Sequence, residues 1–288
     1  MRHALLFGGS GQIGQPLLAL LRRDGWRVTA LSRQVQSDEP GLQWLRGDLS
    51  AVPALPAQVE AIFSCGPLDA FGRWYAASTL EAARVVAFGS TSVESKRGSA
   101  DAGERDLAAR LREGEAAVFA AAQVRGAAAT VLRPTLVYGA GRDATLSRIA
   151  QLAQRWGRFP LPRNATGLRQ PVHVDDLAVA AYACLGGEAS HGRAYALPGG
   201  ETLGYRDMVA SVLAALRPPP TLVELPSPLF NLALLAAQFS GRATGLGEAA
   251  VRRMRSDLVF DPGPARRDLG YAPRPFRPSA EMFETRTV

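Results

Sequence analysis

The sequence predicts an α/β protein, a doubly wound parallel sheet with a small C-terminal lobe. Three observations carry this. The chain opens with an apolar run of strand length, His3–Phe7, followed by a turn with glycines at 8, 11 and 14 and a helical apolar pattern from Pro16 to Leu21. Strand-like and helical stretches then alternate through the first half, as in a parallel sheet covered by helices on both faces. Glycines and small polar residues recur just after the strand-like runs, at the carboxyl ends where open α/β sheets bind ligands.

The opening turn, Gly8-Gly-Ser10-Gly11-Gln12-Ile13-Gly14, suits a dinucleotide. The first glycine turns the chain, the second lets backbone approach a pyrophosphate, and the third lets helix pack on strand. The helix that follows offers unpaired N–H groups and a partial positive charge to the phosphates. Trp26–Leu31 reads as the second strand and ends in Ser32-Arg33. An acidic residue at this strand end would bond the ribose hydroxyls of NAD. A hydroxyl and a guanidinium suit a 2′-phosphate instead, so NADP is favoured, with NAD the alternative.

The remaining strands of the main sheet are read at Leu42–Arg46, followed by Asp48-Leu49, at Val59–Cys65, followed by Gly66, at Ala82–Phe88, followed by Ser90-Thr91-Ser92, and at Ala127–Leu132. Helices are expected over Asp69–Glu81 and Ala102–Gln123. After Arg133 the alternation loosens. Helices are expected over Asp143–Trp156, Asp175–Leu185, Tyr205–Leu216 (capped by Thr202 or Gly204), Pro228–Phe239 and Glu248–Arg255. Short strands are expected at Gln170–His173, Arg193–Leu197 and Leu222–Leu225, and a loop at Pro160–Arg169. This divides the chain into a nucleotide-binding core over about residues 1–160 and a smaller lobe over about 161–288 whose strands return to the core.

Composition excludes several classes. The 288 residues are 47% hydrophobic and 20% charged, ordinary for a globular chain. The net charge of +7 comes from residues spread along the sequence, all arginine except Lys96, with neither a basic stripe nor a nucleic-acid motif. Cys65 and Cys184 lack the spacing of a disulfide framework or metal site, and the three histidines form no zinc-enzyme pattern. The start runs directly into a strand, unlike a signal peptide, and the longest apolar run, Leu229–Phe239, is too short to span a bilayer. That run reads as core or dimer surface. The expectation is a cytoplasmic protein and a candidate homodimer, with a small-molecule substrate and no nucleic-acid or membrane partner.

The chain resembles the extended short-chain dehydrogenase/reductases of the nucleotide-sugar epimerase/dehydratase group. Matches run nearly end to end: the glycine turn, Gly47-Asp48-Leu49, Ser90-Thr-Ser92-Val93, Leu132-Arg133-Pro134-Thr-Leu-Val-Tyr138-Gly139, His173-Val-Asp175-Asp176-Leu177-Ala178, Tyr195-Ala-Leu-Pro-Gly199-Gly200 and Arg266-Arg-Asp-Leu269-Gly270-Tyr271. The resemblance implies that Asp48 and Leu49 lie by the adenine, that Cys65 and Gly66 line the cofactor, that Arg133 and Pro134 begin the segment beside the nicotinamide, and that His173–Asp176 brace the substrate lobe.

One departure bears on activity. The family's chemistry uses a Tyr-x-x-x-Lys pair in which the lysine holds the ribose and lowers the tyrosine pKa. Counting back from Glu115 in the long helix puts Leu111 and Leu107 there, and no tyrosine occurs between Tyr75 and Tyr138. The resemblance therefore narrows to atypical members that keep the fold and lose the pair. Ser90, Thr91 and Ser92 are the candidate catalytic hydroxyls, although the same residues suit a turn bonding its own backbone. Glu94 would act as acid or base only if it points inward, Lys96 reads as a surface-loop residue, and Asp175 or Asp176 as a helix cap beside His173. Two functions follow: an atypical NADP-linked oxidoreductase or epimerase-like enzyme, or a non-catalytic NADP(H)-binding sensor or assembly protein.

Overall fold

The opening apolar run is a strand buried on both faces. In a computed structural model, which describes residues 2–239 and 248–283, β1 (His3–Phe7) buries Ala4, Leu5, Leu6 and Phe7. A parallel strand between two helix layers needs apolar side chains on both sides, hence the absence of polar alternation. The elements that follow are α1 (Gly14–Arg23), β2 (Arg27–Ser32), β3 (Leu42–Arg46), β4 (Gln58–Ser64), α2 (Leu68–Ala77), β5 (Glu81–Phe88), α3 (Ser92–Ser95), α4 (Ala102–Arg125) and β6 (Ala128–Pro134). Next come β7 (Val137–Tyr138), α5 (Leu146–Trp156), β8 (Arg158–Pro162), β9 (Leu168–Arg169), β10 (Val172–His173), α6 (Val174–Ala183), β11 (Arg193–Leu197), β12 (Leu203–Gly204), α7 (Tyr205–Ala215), β13 (Thr221–Leu225), α8 (Ser227–Phe239), α9 (Glu248–Arg253) and α10 (Gly263–Leu269).

Two compact units share the chain. The first comprises Met1–Thr135, Val174–Leu197 and Phe260–Pro273, the second Leu136–His173, Pro198–Val259 and Arg274–Val288. The sequence expectation set one boundary near residue 160; these units are interleaved along the chain. The first unit holds a seven-stranded sheet in the order β11-β6-β5-β4-β1-β2-β3. All its pairings are parallel. The order reverses between β1 and β4, the kind of point at which open α/β sheets bind ligands at the carboxyl ends of their strands. Under the sheet, Phe7, Ile62, Phe71, Tyr75, Val118 and Val131 belong to one apolar cluster. The long helix α4 starts where the Asp101 carboxylate accepts the Glu104 N–H (2.9 Å) and ends at Gly126.

The second unit packs α5 and α7 around Leu146, Ile149, Met208, Val212 and Phe276, with the two-stranded pairs β7–β10, β8–β13 and β9–β12. Among the described residues, β11 is the C-terminal strand that joins the main sheet, alongside β6.

Three expectations change, and of the two caps offered for α7 the structure has Gly204. The helix read through Glu81 stops at Ala77: Ser78 adopts an extended conformation, its hydroxyl accepts the Leu80 N–H (3.1 Å), and Glu81 already belongs to β5. The helix read from Asp143 starts at Leu146, and the Asp143 carboxylate accepts the N–H groups of Thr145 (3.0 Å) and Leu146 (2.5 Å) as a cap. The loop read over Pro160–Arg169 contains β8 and β9. Pro160 and Pro162 are tolerated because, among the described residues, β8 pairs on one side only, with β13, so a missing N–H on the other side breaks no ladder. Helix α7 has Gly204 at its N-cap without a side-chain cap, and the Thr202 hydroxyl accepts from the Gln170 amide instead (3.1 Å).

Candidate cofactor site

Every residue expected at the cofactor falls within the first unit, at the carboxyl ends of its strands. Gly8 leaves β1 with a φ of +74°, a conformation that L side chains rarely adopt, and the Gly11 N–H closes the turn on the Gly8 carbonyl (2.9 Å). Gly14 then opens α1 against that turn. A Cβ there would stand 2.0 Å from the Gly8 carbonyl oxygen and 2.8 Å from the Gly9 Cα, so no larger residue fits. No side chain caps α1, and no acidic residue occupies its first turn. Ile13 is buried, and the side-chain oxygen of Gln12 is buried without a hydrogen-bond partner among the described residues. The uncapped helix start fits an anion that accepts its N–H groups, and the orphaned Gln12 oxygen, itself an acceptor, fits a hydroxyl donor beside that anion.

The end of β2 meets this turn directly. The Ser10 hydroxyl donates to the buried Ser32 hydroxyl (3.2 Å), which also accepts the Gln34 N–H (3.1 Å). Ser32 is thus committed to the turn, and Arg33 is the exposed group at this strand end. After β3, the Asp48 carboxylate accepts the Ser50 N–H (2.8 Å), the Ser50 hydroxyl (2.5 Å) and the Ala51 N–H (3.3 Å). The bonds to Ser50 hold its pKa below the ordinary carboxylate value, and the Arg33 charge adds to the effect. A Cβ on Gly66 would touch the Leu49 side chain at 3.0 Å, so the turns after β3 and β4 are in contact. The Cys65 N–H donates to the Phe7 carbonyl (3.0 Å), and burial pushes its thiol up to about 12, leaving it neutral and unreactive near neutrality.

At the end of β5 the three hydroxyls differ. The Thr91 N–H and hydroxyl both donate to the Pro134 carbonyl (3.2 and 3.1 Å), and Thr91 is buried. The Ser90 hydroxyl accepts the Ser92 N–H (3.1 Å), so the turn does bond its own backbone. Ser90 and Ser92 stay half-buried.

The Arg133 guanidinium is spent on two carboxylates. Its Nε donates to Glu115 Oε1 (2.8 Å), its Nη2 to the other oxygen of Glu115, and its Nη1 to Glu94 (2.7 Å). Glu115 is buried and Glu94 is mostly exposed, so Glu94 does not point inward as a base. Both carboxylates, Glu115 foremost, raise the Arg133 pKa. Sequence reasoning missed this network. A signal was present: Glu115 shares the inner helix face with Leu111 and Val118, where a carboxylate needs a partner. Leu111 packs against the apolar core and Leu107 is half-buried. Lys96 lies in the turn after α3, as a loop residue, but is partly buried and pairs with Glu104 (3.7 Å). In the second unit, His173 is buried, ends β10 and packs edge-on against Tyr138, with ring centroids 5.1 Å apart. Asp175 and Asp176 lie in the first turn of α6.

A doubly wound parallel sheet with a glycine turn at its switch point defines a dinucleotide-binding type of α/β fold. No model of a known protein family matches the chain. The chain is 27% identical to the 2-alkyl-3-oxoalkanoate reductase of Stenotrophomonas maltophilia (strain K279a), over 94% of each protein. Among solved structures, MoeE5 in complex with UDP-glucuronic acid and NAD superposes with a TM-score of 0.68 at 19% identity, covering 95% of this chain and 94% of that one. The UDP-glucuronic acid 4-epimerase of Bacillus cereus, in complex with NAD, gives 0.68 at 13% identity over 94% and 93%. The epimerase Mth375 of Methanothermobacter thermautotrophicus gives 0.69 at 15% identity over 98% and 90%. The chain therefore has a Rossmann-like α/β fold, shared with these solved structures.

Proposed function

We propose that the chain is an oxidoreductase that binds a nicotinamide dinucleotide, NADP in preference to NAD, at the carboxyl ends of β1, β2, β3 and β4. The observation that carries the reading is the glycine turn, in which Gly14 packs against the Gly8 carbonyl and no side chain caps the start of α1. In this reading Gly8, Ser10, Gly11, Gln12, Ile13 and Gly14 hold the pyrophosphate, Arg33 meets the 2′-phosphate, Asp48 and Leu49 border the adenine, and Cys65 and Gly66 line the path between. Ser32 acts through the turn, by holding Ser10. Arg133 and Pro134 act as framework: Pro134 fixes Thr91, and Arg133 ties β6 to α4 through Glu115.

Bound there, the cofactor would donate or accept a hydride, and the protein's part is to orient it and exclude water. Similarity to a reductase of 3-oxoalkanoates favours reduction of a carbonyl over sugar epimerisation. In this reading Ser90 or Ser92 relays a proton from water to the substrate oxygen, taking one proton from the water as it passes its own on, since Thr91 is committed to Pro134 and Leu107 and Leu111 carry none. The direct test follows NADPH oxidation by the purified chain with a panel of 3-oxo acids and, separately, with UDP-sugars. Turnover of a 3-oxo acid that Ser90→Ala slows would support the reading. NADPH binding without turnover of any substrate would favour the second reading, a non-catalytic NADP(H) sensor or assembly protein, which the packing of the partly buried Leu111 against the apolar core also supports.

A further inference from the structure

The net charge of the chain is divided unevenly between its two units. The first contains 18 basic and 18 acidic residues and the second 15 and 8, so the whole formal charge of +7 belongs to the second. Within that unit, α8 has no charged residue over its 13 positions. Phe230 is buried and Leu234 half-buried on its inner side, whereas Leu229, Leu232 and Leu235, spaced three apart, are 55%, 65% and 52% exposed. A leucine stripe left in water forgoes the free energy of burial, and contiguous patches of this kind mark docking surfaces.

Two arginines lie beside the start of this stripe. The Arg163 N–H donates to the Leu225 carbonyl (2.9 Å), two residues before α8, and its side chain is exposed. The Asn164 amide, oriented to satisfy its neighbours, bridges the Ser227 hydroxyl (3.1 Å) to the exposed Arg255 guanidinium (3.0 Å). Arg252, one turn earlier, is exposed as well, while Val251 and Met254 are buried.

We propose that this face docks on the surface of an anionic phospholipid bilayer, with the three leucines entering the headgroup–acyl boundary and Arg163, Arg252 and Arg255 on the phosphates. Apolar side chains beside basic ones are the pattern of helices that lie in that boundary, and each basic residue near such a surface adds attraction. A second copy of the chain is disfavoured as the occupant because it would bring a unit of charge +7 against another. Among the described residues no helix is long and apolar enough to cross a membrane, so α8 would lie along the surface. This differs from the sequence expectation, which took Leu229–Phe239 as core or dimer surface in preference to a membrane anchor: three of its leucines are exposed beside basic residues. The proposal does not depend on the cofactor reading.

Flotation of the full chain with vesicles tests it. Binding is expected to vesicles containing phosphatidylglycerol, to fall as salt rises, and to be weak with pure phosphatidylcholine. The variant Leu229→Asn/Leu232→Asn/Leu235→Asn should bind at least about tenfold more weakly, with an unchanged circular dichroism spectrum, and Arg163→Gln/Arg252→Gln about fivefold or more. Absence of flotation with the anionic vesicles would overturn the proposal, as would equal binding to neutral ones or unchanged binding by the leucine variant. Sedimentation showing a dimer that the leucine variant dissolves, without vesicle binding, would replace it with self-association.

Discussion

At the residue scale the glycine turn carries the most specific expectations. Gly14→Ala must place its methyl group against the Gly8 carbonyl, and overpacking of this sort costs about 1–3 kcal/mol, to be read from urea unfolding. Gly11→Val should abolish dinucleotide binding; retained binding would move the site elsewhere. Arg33→Ala should weaken NADPH binding about tenfold and leave NADH binding unchanged, since the guanidinium has a charge to meet only in the phosphorylated cofactor. His3 gives a pH signature. Burial, with help from the Arg27 charge, lowers its pKa below 6.5 in the folded chain, so the unfolded chain takes up a proton first as pH falls. Stability should therefore decline below about pH 6.5, and His3→Gln should flatten that decline in denaturation curves at about pH 5 and about pH 8. The glycine turn and Ser32-Arg33 were legible because their neighbours in sequence set their geometry. The commitment of Ser32 was not, because its partner Ser10 comes from a different strand end.

At the element scale, the strands of the main sheet were legible to within two residues, since apolar runs buried on both faces read clearly. Pairing partners were not. The prolines of β8 argue for a loop until the one-sided pairing with β13 is seen, and Glu115 looks like one carboxylate among many in a charged helix until Arg133 is placed against it from β6. That contact makes the two carboxylates unequal. Glu115→Ala leaves Arg133 partly buried without its main partner and should cost about 3–5 kcal/mol. Glu94→Ala removes a mostly exposed pair and should cost about 1 kcal/mol or less. Equal losses in chemical denaturation would contradict this assignment. The same pairing explains why the hydroxyl turn after β5 is held: Thr91 and Glu94 both reach β6, one at Pro134 and the other at Arg133.

At the scale of the molecule, the doubly wound fold was legible and the interleaving of two units was not, because segments 174–197 and 260–273 rejoin the first unit through contacts distant in sequence. The expected site, by contrast, lies wholly in the first unit, where the carboxyl ends of consecutive strands bring glycines, Arg33 and Asp48 to one edge of the sheet. Binding at that edge should stabilise the folded chain by about 2.7 kcal/mol when NADPH is present at a hundred times its Kd. The measurement that tests the account most directly is a fluorescence titration of the purified chain with NADPH and with NADH. The account predicts binding of both with NADPH at least about tenfold tighter, the margin a single guanidinium–phosphate contact supplies. Binding of neither would contradict it and leave the glycine turn as a structural hinge between β1 and α1.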